Sequence, residues 1–69
     1  MKNEILKSTL YQNVRNAFVN EHKNVRVFDK AGWHINFDHR YYNIRDIRNI
    51  FKEQHNFGGD FELVRFEII

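Results

Sequence analysis

Polar and apolar positions alternate most cleanly between Asn24 and Phe37. Val25-Arg26-Val27-Phe28 and Trp33-His34-Ile35-Asn36-Phe37 are two alternating runs separated by Asp29-Lys30-Ala31-Gly32. The pattern predicts a β-hairpin with Lys30, Ala31 and Gly32 as its loop. The last loop position needs a positive φ, which glycine adopts without a Cβ clash. The register follows: Asp29 faces Trp33, Phe28 faces His34, Val27 faces Ile35, Arg26 faces Asn36 and Val25 faces Phe37. Val25, Val27, Ile35 and Phe37 then share one side, and Arg26 and Asn36 the other. Turn chemistry and burial pattern select the same pairing.

Helical periods flank this hairpin. Leu6, Leu10, Val14, Ala17 and Phe18 recur at spacings of three and four, which predicts a helix over residues 4–21. Asn3 is its expected N-cap and Glu4 suits its first turn. Lys7, Tyr11 and Arg15 form a second stripe, four apart. After the hairpin, Asp38-His39-Arg40 closes the strand and Tyr41-Tyr42 forms a short link. Asn43 then caps a second helix, with Asp46 three residues on in a variant of the capping box. Ile44, Ile47, Ile50 and Phe51 make its apolar face, and Arg45, Arg48 and Lys52 lie along another. Gly58-Gly59 stops it. Residues 61–69 are rich in β-formers, with Val64, Phe66 and Ile68 as the expected core face.

The order is therefore α-β-β-α-β. The second helix joins two strands that run parallel, by a right-handed crossover. Pairing the last strand with the first gives a mainly antiparallel three-stranded sheet in the order 2-1-3. Both helices cover one face in a two-layer α+β fold. The other face is left open, carrying Arg26, Phe28, His34 and Asn36.

Composition narrows what such a fold can do. With 69 residues, the chain is a single small α+β domain near the lower end of independent folding. Cysteine is absent, which removes disulfides and thiolate ligands. Eleven aromatic rings (seven Phe, three Tyr and one Trp) supply the buried area that so short a chain needs. No apolar run approaches the roughly 18 residues of a membrane span, and Met-Lys-Asn-Glu-Ile-Leu lacks the apolar segment of a signal peptide. A cytoplasmic location is expected. Rich in Asn, Lys and Ile without Cys or Pro, the chain has the composition of many small phage and mobile-element reading frames. The net charge of +2 is unevenly placed. Cations prevail up to Lys52, whereas residues 53–69 set Glu53, Asp60, Glu62 and Glu67 against Arg65.

Catalytic patterns are weak. The four histidines match no zinc spacing. Asp38-His39, a helix bearing Asn49 and then His55 resemble in residue type the ββα-metal nucleases, where a hairpin and helix hold one cation against a phosphodiester. Those enzymes place the Asp-His pair before or within the hairpin, whereas here it follows the hairpin and runs straight into the helix. Ser8 and Thr9 lack a nearby acid–base partner in sequence, and no glycine loop precedes a helix. A chain this short also leaves little room for a pocket of about 300 Å³. The expectation is a non-enzymatic module without cofactor or metal.

Two binding readings remain. The first is a module that occludes or recruits a protein partner, using Arg26, Phe28, Trp33, His34, Tyr41 and Tyr42, because Trp, Tyr and Arg dominate interface energies. A homodimer through the C-terminal strand or the open sheet face would supplement the core. The alternative is a small nucleic-acid binder using Arg40, Arg45, Arg48 and Lys52, with Tyr41 and Tyr42 available for stacking.

Overall fold

The computed structural model describes residues 5–69. Helix α1 (Thr9–Arg15) is followed by strands β1 (Val25–Asp29) and β2 (His34–Phe37), helix α2 (Ile44–Phe57) and strand β3 (Leu63–Ile68). The strands lie in the order β2-β1-β3, with β1 antiparallel to both neighbours. Strands β2 and β3 are therefore parallel to each other on either side of β1. Both helices pack on one face of the sheet, as the strand order 2-1-3 leads one to expect.

The hairpin has the expected register, from Val25 opposite Phe37 to Phe28 opposite His34. The Asp29 N–H donates to the Trp33 carbonyl at 2.9 Å, closing the loop at the expected residue. Gly32 sits at φ +92°, a conformation that costs any residue with a Cβ.

The first helix is shorter and less regular than its period implies. The expected cap Asn3 and first-turn Glu4 lie outside the described residues. Among those described, Ile5–Lys7 form a 3₁₀ turn, and the chain straightens at Ser8, where ψ is 151°. The cause is local chemistry. The Ser8 hydroxyl donates to the Ile5 carbonyl at 2.6 Å and accepts from the Tyr11 N–H at 3.2 Å, making Ser8 the N-cap of α1. At the other end, Asn16–Asn20 widen into a π-helical turn, and the Glu21 N–H reaches the Asn16 carbonyl at 3.2 Å. Helix α2 starts as expected. The Asn43 side chain accepts from the Asp46 N–H and the Asp46 carboxylate accepts from the Asn43 N–H, both at 3.0 Å.

Strand β3 departs from simple alternation. Phe28 pairs with Arg65, but Asp29 pairs with Leu63, so Val64 is an extra residue in a β-bulge. Leu63 takes the core position at 6% exposure and Val64 turns outward at 45%. Phe66, opposite Val27, keeps its expected side and is half-buried. Ile68 pairs with Val25 yet remains exposed at the strand's end.

Tyr11, Val14, Ala17 and Phe18 meet Ile47 and Phe51 of α2 and Val25, Val27, Phe37 and Leu63 of the sheet to form the core. Tyr11 stands edge-on to Phe51 with ring centroids 5.1 Å apart. Asp29 also lies on this side and is buried, its carboxylate accepting from the Trp33 N–H at 3.0 Å. Among the described residues, no helix is long and apolar enough to cross a membrane.

Candidate functional site

The loop of the β1–β2 hairpin is fastened to the segment between α2 and β3. The Lys30 N–H donates to the Glu62 carbonyl at 3.0 Å and the Ala31 N–H to the Asp60 carbonyl at 3.4 Å. A Lys30–Glu62 ion pair at 2.8 Å reinforces the seam. It lowers the Glu62 pKa and raises that of Lys30 through their hydrogen bond and mutual charge.

This seam gathers exposed aromatics at one end of the molecule. Trp33 follows the loop and is 77% exposed. Its backbone N–H and carbonyl are both bonded to Asp29, so the indole is presented from a fixed backbone just before β2. Phe57 ends α2 and Phe61 ends the 3₁₀ turn Gly59–Phe61. Their rings form an edge-on pair with centroids 6.0 Å apart, at 70% and 58% exposure. Large rings this exposed carry a solvation cost that a partner would relieve. Phe57 and Phe61 were not among the candidates from sequence. In the sequence, Phe57 falls in the turn that stops the second helical period and Phe61 opens the β-rich segment, and only the fastening of the hairpin loop to Asp60 and Glu62 brings that segment to the hairpin.

The open sheet face is less bare than its sequence implied. The Arg26 Nε donates to the Asn36 side chain at 2.8 Å, and Arg65 pairs with Glu67 at 3.0 Å. Phe28 is roofed by the Arg65 guanidinium, 3.7 Å from its ring centroid, with His34 tilted beside it at 5.5 Å. Arg26, Asn36, Arg65 and Glu67 are thus paired with one another across this face, and one side of the Phe28 ring is covered by a cation.

The tyrosines lie elsewhere. Strand β2 leads away from the hairpin loop, so Tyr41 and Tyr42 fall beyond its far end. Tyr42 is half-buried, standing edge-on to Phe37 at 5.1 Å, while Tyr41 is exposed. His39 anchors this end. Its ring stacks on Phe18 at 3.8 Å and its Nε2 lies 3.0 Å from the Lys23 carbonyl. The six sequence candidates thus divide into Trp33 at the aromatic end, Arg26, Phe28 and His34 on the sheet face, and the two tyrosines at the opposite end.

The basic set divides too. Arg40 is held by a two-point contact with Asp38, at 3.1 and 3.0 Å. These bonds keep the Asp38 carboxyl below its usual pKa and raise that of Arg40. Arg45 and Arg48 line an open groove of about 490 Å³ with Tyr11, Gln12 and Arg15 of α1, and Lys52 is outside it. A second cleft of about 340 Å³ lies near His22, His39 and Tyr42. Both exceed the space expected of so short a chain, because they form between elements rather than inside the core.

Neither a protein-family model, a curated protein nor a solved structure gives a match to this chain.

Proposed function

We propose that the protein is a non-enzymatic interaction module that captures a protein partner through its aromatic end, thereby occluding or recruiting that partner. One observation carries this reading: Trp33 and the Phe57–Phe61 pair are all exposed, and backbone hydrogen bonds tie the loop that precedes Trp33 to the residues on either side of Phe61. A rigid aromatic surface loses little conformational entropy on binding, and aromatic anchors contribute most to interface affinity. The sheet face, where Arg26 is paired with Asn36 and Arg65 with Glu67, plays a lesser part. The chemistry of Ser8 fits the non-enzymatic reading, because its hydroxyl is engaged in helix capping.

The test begins with a photoreactive side chain at position 33 in the native host, with position 13 as an exposed control on α1. Position 33 should trap one protein species that position 13 does not. Binding of that species to the purified domain should then weaken about thirtyfold or more in Trp33→Ala/Phe61→Ala, the loss of a hot-spot pair. Unchanged circular dichroism would show that the fold is retained. Undiminished affinity would overturn the assignment. Light scattering on the purified domain distinguishes a foreign partner from a second copy of the chain.

A further inference from the structure

The groove between the two helices is chemically distinct from the aromatic end. Arg15 lies in the last turn of α1, and Arg45 and Arg48 lie three apart on the first turns of α2. All three are exposed and line one groove with Tyr11 and Gln12. Leu6 and Ile44 supply apolar wall. Three guanidiniums on one groove repel one another, and an anion seated among them relieves that repulsion.

Among the described residues, none of the three arginines is ion-paired with a carboxylate. Asp46, the acid nearest to Arg45 and Arg48 in sequence, is committed to the α2 cap. Tyr11 gives a second sign of this convergence. Burial raises its phenol pKa, and the charges of Arg15 and Arg48, one from each helix, both act against that rise.

We propose that this groove binds a small organic phosphate ester, its phosphate held by Arg15, Arg45 and Arg48 and its organic part lying against Leu6 and Ile44. Guanidinium suits phosphate because its planar N–H fork matches two phosphate oxygens at once. The Gln12 amide already donates to the Leu6 carbonyl at 2.7 Å, so that side of the groove is set before a ligand arrives. A volume of about 490 Å³ falls in the range that small ligands occupy and exceeds the needs of a bare phosphate.

A nucleic-acid strand is the less favoured occupant, because it needs cations in a continuing track. Here Arg40 is bound to Asp38, Lys30 is paired with Glu62, and Lys52 stands outside the groove.

The test is an NMR titration of the ¹⁵N-labelled domain at constant ionic strength. Adenosine monophosphate, inorganic phosphate, sodium chloride and a single-stranded oligothymidine serve as separate probes. Adenosine monophosphate should give saturable shifts confined to residues 11–15, 44–48 and the arginine Nε–H signals. Inorganic phosphate should give the same pattern more weakly. Arg15→Gln and Arg48→Gln should each weaken the nucleotide about tenfold, the loss of one charge-assisted contact. Both positions are exposed, so the variants should retain the wild-type spectrum elsewhere.

Absence of saturation by adenosine monophosphate up to about 10 mM would overturn the proposal, as would equal shifts with chloride. Saturation of the groove by oligothymidine at lower concentration than the mononucleotide, with a steep salt dependence, would overturn it in favour of a strand backbone.

Discussion

Asp29 connects the core to the aromatic end. Strand alternation puts it on the side of Val25 and Val27, and its carboxylate satisfies the Trp33 N–H at 3.0 Å within a mostly buried setting. Replacing it with Ala leaves that donor without its side-chain acceptor. Asp29→Ala should therefore cost about 1–3 kcal/mol in urea unfolding, whereas Asp29→Asn keeps an acceptor and should lose less. An Asn variant as damaging as Ala would assign the effect to the charge instead of the bond. The hairpin register around Asp29 was legible because Gly32 and the flanking alternation required the same pairing. Its burial was not, because a charged residue beside a loop reads first as an exposed one.

Helix boundaries were legible where side chains cap in sequence order and illegible where the backbone departs from one period. Asn43 and Asp46 announce α2 three residues apart and form the reciprocal cap. Ser8 hides inside an apolar stripe that continues on both sides, so the break between the 3₁₀ turn and α1 leaves no mark in the pattern. Ser8→Ala should destabilise the domain by about 1 kcal/mol in thermal or urea melts, the usual worth of an N-cap. A neutral substitution would mean that α1 is held by its packing alone. The bulge at Val64 escaped for a related reason: alternation reports two faces but cannot reveal an inserted residue. The arginine groove was half visible, since Tyr11 and Arg15 share a stripe and Arg45 and Arg48 share another. Periodicity gives the faces of each helix separately, and only their packing shows that the two stripes meet.

The assembled domain presents a core side, a sheet face crossed by two polar pairs, a basic groove and an aromatic end. Its stability should also respond to alkali through Tyr11. Burial raises the phenol pKa in the fold despite Arg15 and Arg48, so the unfolded chain gives up that proton first. The stabilisation is present below the ordinary tyrosine value of about 10 and is lost as pH rises through the folded value. Tyr11→Phe should therefore flatten the alkaline limb of the stability curve measured by urea titration. An unchanged limb would place the sensitivity on another group.

The seam at the hairpin loop carries a consequence for timing. Trp33 comes from the first half of the chain, whereas Phe57, Phe61 and the carbonyls of Asp60 and Glu62 come from the second. A ribosome-bound intermediate that has emerged only as far as the hairpin displays its indole without companions or fastening. The capture proposed for this end would therefore await the closing of residues 57–62 onto the hairpin loop, and copies not yet folded that far would not compete with finished ones.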